Sequence, residues 1–351
     1  MDAEELSLNM SVNCEKWRLK YIDLDNYMKG NIYHYTDIKS LENIIKSNTL
    51  WVTKSDFLND RTEFVYAISL IKEISNRRNY KYLSQEKLKT IMKVLKSFIE
   101  RSFIFSSSLN KDSVNLWGNY SKFDGYNIDF NLEKIPKRMW DEKVFVIGNK
   151  KDKNSQTIKY MITRKDQYKT VIMLPGKVIY EKKEQENILV DILDFIENTY
   201  NKYYDYLGKC VNIDKTEKNY KKLEYTFYSI ISTAINVLST QVQLFKNPIF
   251  FQDEEYRIIF NVNSKLDVIK YRTSNGAFIP YIEVRFESEL EKDEKGLPID
   301  GITIGPKNNI DIARNGLKLF LDSQGYNTTF DDSNKKQGKI YIKKSKVPLR
   351  Y

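Results

Sequence analysis

Residues 31–53 read NIYHYTDIKSLENIIKSNTLWVT, and this stretch predicts how the fold begins. Polar and apolar side chains alternate over Asn31–Thr36, which is typical of a β-strand. The alternation places His34 and Thr36 on one face of the strand, together with Ile32, and the two intervening tyrosines on the other face. The first element is therefore predicted to be a strand with polar groups on both faces.

A short helix and a second strand are predicted directly after it. Asp37 is suited to cap the helix, because its carboxylate can accept a hydrogen bond from the first helical turn. Leu41, Ile44 and Ile45 then recur at helical spacing, and Asn48 can end the helix in a left-handed conformation. A strand is expected over about Leu50–Thr53, so the opening unit is strand, short helix, strand.

The rest of the chain alternates between strands and helices. The patterns predict helices after Asn59 or Asp60, at Ser84–Arg101, Gln185–Leu207, Thr216–Phe245 and Asp311–Ser323, and strands at Phe103–Ser108, Tyr126–Phe130, Val144–Ile147, Val171–Ile179, Glu255–Val262, Phe278–Val284, Gly301–Ile304 and Lys339–Lys343. The polar stretch between the strands at 144–147 and 171–179 is expected to be a surface loop. The fold class is predicted as α+β, a mixed sheet flanked by helices with a helical hairpin insertion at about 185–246. Residues 1–29 are expected to be an N-terminal segment and 30–351 a single domain.

Composition excludes several classes of protein. The chain has 351 residues, a net charge of +10, two cysteines and one histidine, too few ligands for a structural zinc site. The N-terminus is acidic and polar, unlike a signal peptide, and no apolar run approaches the roughly 20 residues of a membrane helix, so we expect a cytoplasmic protein without a membrane partner. The positive charge is consistent with nucleic-acid binding, although a lysine-rich solvated surface explains it equally. Phosphate-loop, dinucleotide-binding, nucleophile-elbow and metalloprotease motifs are missing from the sequence.

His34 has two interpretations. In one, it is a half-buried strand histidine with a structural hydrogen bond. In the other, His34 and Thr36 present an imidazole and a hydroxyl from one strand face to the hydroxyl pair of a sugar. Both interpretations require the strand predicted at 31–36.

Three further clusters also have a structural and a functional interpretation. In Phe57–Glu63, Asn59 or Asp60 can cap the following helix, with Glu63 in the first turn where negative charge is favourable. Trp117 and Tyr120 lie one helical turn apart and are either core residues or aromatic platforms for a ligand.

The third cluster is the acidic and basic run at 253–257. Glu255 and Arg257 share one face of the predicted strand and can pair with each other. A surface ion pair of this kind contributes under about 1 kcal/mol.

Taken in order, these clusters resemble the domain of unknown function 2971 family of bacteria. The resembling segments are Y-H-Y-T at 33–36, F-x-N-D-x-x-E at 57–63, the serine-ended strand with W-x-x-Y and G at 106–125, K-x-x-x-F-x-x-[DE]-x-E-x-R at 246–257, I-G-P-K at 304–307 and S-K-x-P-x-R at 345–350. The likeness extends from about residue 30 to the end of the chain. Asp253 stands where the family more often has Glu. The resemblance implies a family and does not imply an activity.

The opening H-x-T strand and helix are also similar to the start of ADP-ribosyltransferases. That resemblance implies NAD as substrate, His34 as a ribose contact and Glu255 as the group that stabilises the positively charged transition state. It further implies supporting roles for Tyr35 and Thr36, stacking by Trp117 or Tyr120, and orientation of Glu255 or a pyrophosphate by Arg257. The resemblance assigns no metal.

We therefore expect an NAD-dependent ADP-ribosyltransferase or NAD glycohydrolase that acts on nucleic acid or on a protein acceptor. The alternative is a non-enzymatic nucleic-acid-binding or phage-defence accessory module that uses the basic surface. The oligomeric state is left open by the sequence.

Overall fold

The computed structural model describes residues 2–21, 27–58, 63–135, 144–151, 157–162, 171–209, 217–262, 268–274, 276–286, 297–307, 309–330 and 339–348. The helices are α1 Ala3–Arg18, α2 Ile38–Ser47, α3 Glu63–Arg78, α4 Gln85–Ile99, α5 Val114–Ser121, α6 Lys182–Lys209, α7 Lys218–Val242 and α8 Ile310–Ser323. The strands are β1 Asn31–Thr36, β2 Leu50–Lys54, β3 Ser102–Ser108, β4 Tyr126–Asn131, β5 Val144–Lys151, β6 Thr157–Ile162, β7 Val171–Lys177, β8 Glu255–Val262, β9 Lys270–Ser274, β10 Ala277–Phe286, β11 Ile299–Ile304, β12 Thr328–Thr329 and β13 Ile340–Lys344.

The predicted α+β class and the mixed sheet flanked by helices are confirmed. The bounds of β1 and β8 coincide with the predicted strands. Asp37 caps α2 by accepting a hydrogen bond from the Ser40 amide at 2.7 Å, and Asn48 ends that helix with φ at 52°. These local signals are strong because each acts within a few residues of the bond that it makes.

One helix was not predicted, and one prediction about local structure was wrong. Residues 3–18 form α1, which buries Leu6, Met10, Cys14 and Trp17 along one stripe although the segment is mostly polar. The stretch expected to be a loop contains β6, which pairs with β5 in antiparallel fashion. In both cases tertiary contacts stabilise an element that the local composition did not favour.

Contacts divide the chain into two units. The helical unit comprises Met1–Asp23, Asn59–Glu100 and Ile179–Phe250, and the sheet unit comprises Leu24–Leu58, Arg101–Val178 and Phe251–Tyr351. The predicted hairpin is present as α6 and α7, and its apolar stripe shares one core with α1, α3 and α4. The prediction of a single domain over 30–351 stays a prediction, since grouping by contacts does not test independent folding.

The sheet unit forks at β3. One edge of β3 pairs with β8 over Ser102–Ser108. The other edge is shared, because β1 pairs at Ser108 and β2 pairs at Phe103 and Ile104. From the fork, one branch continues through β4, β11 and β13, and the other continues through β10 and β5. The predicted His34 and Glu255 strands are therefore both neighbours of β3.

The two faces of the sheet differ in polarity. On the face that carries Ile32, Phe105 and Ile128, apolar side chains build the main core of the sheet unit. On the opposite face, Tyr33, Asp129 and Asn127 alternate with those core residues along β1 and β4. We call this second face the polar face.

Candidate functional site

Four side chains form a row across the polar face. Asp129 in β4 is the direct partner of Tyr33 in β1, Tyr33 pairs with Ser108 in β3, and Ser108 pairs with Glu255 in β8. Residues directly opposite each other on a sheet point to the same face, with Cβ atoms about 5 Å apart. Ser108 and Glu255 are buried, at 3% and 7% exposure. The row therefore brings an aromatic ring, a hydroxyl and two carboxylates onto one surface.

Glu255 is held by Arg257, which lies two residues along the same strand face. Arg257 Nε donates to Glu255 Oε1 at 2.8 Å, and Nη2 donates to Oε2 at 3.1 Å. The two side chains are only 2% and 8% exposed. The pairing was predicted, but its placement on the surface was wrong, because β8 is buried along its whole length. This bidentate geometry fixes the orientation of the carboxylate.

The two serines on the polar face of β3 differ in their bonding. Ser108 Oγ donates to the Asp253 carbonyl at 2.8 Å and accepts from the Asn110 amide at 3.0 Å. Ser106 is the direct partner of Arg257 and is partly exposed. Its hydroxyl makes no hydrogen bond to any residue that the structure describes. Ser106 can therefore bind a polar group of a ligand, whereas Ser108 holds the loop that follows β3.

A strained residue precedes Glu255. Glu254 has φ at 42°, in the left-handed region that side chains other than glycine rarely adopt. Its carbonyl accepts from the Leu109 amide at 2.8 Å, and its Oε1 accepts from Asn110 Nδ2 at 2.7 Å. Such strain persists where surrounding contacts fix the backbone, and it concentrates at functional sites. These contacts set the point at which Glu255 begins β8.

His34 lies on the other face of the sheet. It pairs with Ile128 on the apolar face, and its ring centroid is 4.8 Å from that of Phe105. Since Tyr33 shares its face with Glu255, the adjacent His34 points away from Glu255. The structure places His34 and Glu255 on opposite faces of the sheet, which does not support the expectation that both contact one ribose.

The imidazole of His34 has a defined environment. Burial lowers the pKa of His34, and the positive charge of Arg272 lowers it further. The hydrogen bond to the Ser106 carbonyl raises the pKa, but its effect is smaller than that of burial. Nδ1 lies 3.0 Å from the Ser106 carbonyl oxygen. In the neutral ring that burial favours, Nδ1 donates this bond and Nε2 is left as an acceptor.

Tyr35 is a structural residue of the polar face. Its hydroxyl donates to the Asn110 carbonyl at 2.8 Å and accepts from the Ser113 amide at 2.8 Å. Its ring meets the edge of Trp117 at a centroid distance of 4.9 Å. Trp117 has no exposed surface and donates from Nε1 to Asp112 at 2.7 Å. A fully buried indole offers no face for a ligand, so the core interpretation of Trp117 fits the structure.

The remaining predicted site residues fall in several places. Tyr120 is 41% exposed at the end of α5, and Thr36 is buried on the apolar face opposite Tyr126. Asn59 and Asp60 lie outside the described residues. Glu63 is the first residue of α3, where its negative charge interacts favourably with the helix N-terminus. It belongs to the helical unit.

An acidic network continues the polar face beyond Tyr33. Asn31 Nδ2 donates to Asp129 Oδ1 at 2.6 Å and to Asp300 Oδ2 at 3.3 Å, and the Tyr341 hydroxyl donates to Asp129. The pKa of Tyr33 is raised to about 12, first by burial and then by the negative charges of Asp129 and Asp300. The Tyr33 hydroxyl therefore stays protonated at neutral pH and can donate a hydrogen bond.

Sequence reasoning missed Tyr33, Ser106, Ser108 and Asp129 as site residues. The signal was the alternation of Asn127, Asp129 and Asn131 with apolar residues in β4, which indicates one polar face. What the sequence lacked was the register that aligns this face with the faces of β1, β3 and β8.

In the parts of the chain that the structure describes, no group of three or more His, Cys, Asp or Glu side chains is arranged to hold a metal ion. The described helices include none with the length and hydropathy needed to cross a bilayer. No protein-family model, curated protein or solved structure matches this chain significantly. Both family resemblances consequently remain hypotheses that rest on the motifs.

Proposed function

We propose that this protein consumes NAD, breaking the bond between nicotinamide and ribose with Glu255 as the group that stabilises the transition state. The observation that supports this function is the placement of Tyr33, Ser106 and Glu255 on one face of adjacent strands, with Arg257 holding the carboxylate. An aromatic ring, hydroxyl groups and an oriented carboxylate are the groups that a nicotinamide riboside requires.

The chemistry of this bond suits a site with one oriented carboxylate. When the C1′–N bond breaks, its electron pair passes to the ring nitrogen, and the cationic nicotinamide ring leaves as a neutral molecule. Positive charge grows on the ribose C1′, where Glu255 can stabilise it. An O–H or N–H acceptor then bonds to C1′ and gives up its proton. No catalytic acid is needed for departure, so His34 need not share the site.

Hydrolysis of ordinary glycosides requires a different arrangement. Inverting enzymes place two carboxyl groups about 6.5–9.5 Å apart, and retaining enzymes place them about 5–5.5 Å apart. Asp129 and Glu255 lie three strand spacings apart, which corresponds to about 14 Å between their backbones. Asp129 is also bonded to Asn31 and Tyr341. This separation favours a leaving group that departs without protonation.

Roles for the other groups follow from their exposure and bonding. Ser106 has an available hydroxyl beside Arg257 and is the natural partner of a ribose hydroxyl. Tyr33 is partly exposed, so its ring can lie against nicotinamide while its protonated hydroxyl donates. Arg257 orients the Glu255 carboxylate through its two hydrogen bonds.

The test is release of nicotinamide from NAD, measured by chromatography in the presence and absence of RNA, DNA and cell extract. We expect release by the wild type and no release by Glu255→Gln, which loses the group that stabilises the developing charge. Ser106→Ala should release nicotinamide at least about 10-fold more slowly, because the lost bond to a ribose hydroxyl leaves the sugar less well oriented for the reaction. Circular dichroism confirms that each variant is folded at the assay temperature.

Ser107→Ala is the matched control. Ser107 is the neighbour of Ser106 but lies on the apolar face, where its Oγ donates to the Tyr256 carbonyl at 2.9 Å. Its release rate should equal that of the wild type. A loss in Ser107→Ala without a loss in Ser106→Ala would place the reaction on the wrong face for this proposal. Absence of nicotinamide release in every mixture would reject the function.

A further inference from the structure

A cavity lies on the apolar side of the sheet, between α2 and α8 and above Tyr126 of β4. Its volume is about 440 Å³, within the range of pockets that hold small molecules. Ile38 and Leu41 line it from α2, and Gly316 and Phe320 line it from α8. Tyr126 is the partner of Thr36, so this cavity is on the face opposite to Glu255.

Gly316 leaves space in the wall of the cavity. It occupies the interior of α8, where glycine destabilises a helix relative to alanine. A Cβ atom added at Gly316 would meet no atom within 4 Å. Gly316 is exposed and lines the cavity, so its missing side chain leaves open space for an occupant that lies against the helix backbone.

Tyr126 supplies a hydrogen-bonding group that the protein does not use. Its side chain is 95% buried, since only 5% of the residue is exposed. Its hydroxyl has no hydrogen-bond partner among the residues that the structure describes, although Tyr126 lines the cavity. The hydroxyl itself stays accessible at the cavity surface, where it can bond a polar group of a ligand.

Asn309 adds a second polar group at the rim. It occupies the N-cap position of α8, but its side chain makes no capping hydrogen bond. It also lines the cavity. The side-chain amide is thus available to a ligand at the end of the cavity where α8 begins.

We propose that this cavity is a binding site for a planar aromatic small molecule that carries one hydrogen-bonding group. Phe320 and Tyr126 provide aromatic walls, which favour stacked or edge-on contacts with a ring, and the missing side chain at Gly316 admits a flat ring against the helix. The Tyr126 hydroxyl bonds the polar group of the ligand. The site is separate from the proposed NAD site, so its test does not depend on that function.

The probe is 2-naphthol, which loses a proton to water when excited and emits as the neutral molecule in a site that excludes water. We expect titration of the full-length protein to raise the neutral emission in a saturable manner. The saturated analogue decahydro-2-naphthol, added as a competitor, should bind at least about 10-fold more weakly than 2-naphthol itself, because it lacks the aromatic contacts.

Three variants locate the binding. Gly316→Leu fills the cavity and should weaken 2-naphthol binding at least about 10-fold, while Gly316→Ala, the matched control, should bind like the wild type. Tyr126→Phe removes one hydroxyl and should weaken binding about 2- to 10-fold. Neither Gly316 variant should have a lower thermal unfolding midpoint than the wild type, because leucine and alanine both have a higher helix propensity than glycine.

Several results would overturn the proposal. These are an unchanged 2-naphthol emission up to the solubility limit, equal binding by Gly316→Leu and the wild type, and binding of decahydro-2-naphthol as tight as that of 2-naphthol. Ile38 and Ile312 are exposed at the rim of the cavity, so the oligomeric state should also be measured by sedimentation. A dimer that Gly316→Leu dissociates would assign the cavity to contacts between copies of the chain instead.

Discussion

Replacing Glu255 with glutamine should destabilise the protein by about 3 kcal/mol, a value characteristic of a broken buried ion pair rather than a surface pair. The Glu255 and Arg257 side chains are 8% and 2% exposed and share two hydrogen bonds of 2.8 and 3.1 Å. Glutamine has nearly the same shape, so no cavity forms. The cost arises because the Arg257 charge remains buried beside a neutral group.

The measurement is urea unfolding followed by tryptophan fluorescence and circular dichroism. Glu15→Gln is the control, since Glu15 pairs with Arg18 across one turn of α1 and is 64% exposed. That variant should lose under about 1 kcal/mol. In the double variant Glu255→Gln/Arg257→Met, the Arg257 charge is removed together with the Glu255 carboxylate. Its loss should fall below the sum of the two single losses by about 2 kcal/mol.

The reasoning would be refuted if Glu255→Gln and Glu15→Gln lost the same small stability. The Glu255–Arg257 pair would then be solvated, and a bidentate bond to Arg257 would not be the reason for the orientation of Glu255. Additive losses in the double variant would refute the coupling. Because Glu255→Gln is expected to remain folded but less stable, its nicotinamide release must be measured well below its unfolding midpoint.

Three further perturbations test the geometry. Glu254→Gly should be about 1 kcal/mol more stable than Glu254→Ala, because both variants lose the bond from Asn110 and only glycine adopts the left-handed backbone at φ 42° without strain, as urea midpoints would show. Gly301→Ala should lose about 1–3 kcal/mol, because its Cβ would overlap the Tyr341 ring, while the same change at Gly316 should stabilise α8. Burial lowers the pKa of His34 from 6.5, so the neutral ring stabilises the fold at pH above about 6.5 and this stability is lost as the pH falls through the lowered pKa. The proton signal of this single histidine should titrate with a midpoint below 6.5, and a midpoint at or above 6.5 would contradict its burial.

Much of the local structure could be predicted because the responsible signals are short in range. The alternation in 31–36 and 255–262 fixed two strands, and the Asp37 cap and Asn48 terminus fixed α2. The helix at residues 3–18 was missed because its buried stripe is diluted by polar residues, and only packing in the helical unit shows that the stripe is used.

The candidate site could be predicted only in part. Glu255 and Arg257 were correctly placed on one strand face, because strand alternation is a local property. Burial of that pair depends on the neighbouring strands, which the local pattern does not specify, so its expected placement on the surface was wrong. Tyr33 was passed over in favour of His34 because the motif resemblance pointed to the histidine.

The sequence by itself determined the α+β class, the course of β1 and β8 and the division of each strand into two faces. These features depend on backbone geometry and hydrogen bonds within a few residues. Only the tertiary structure decided which faces join. The pairing of Tyr33 with Ser108, and of Ser108 with Glu255, placed Glu255 on the polar face and His34 on the apolar face. A shift of one residue in either register would exchange those faces, and register is set by the packing of the whole sheet rather than by any one strand.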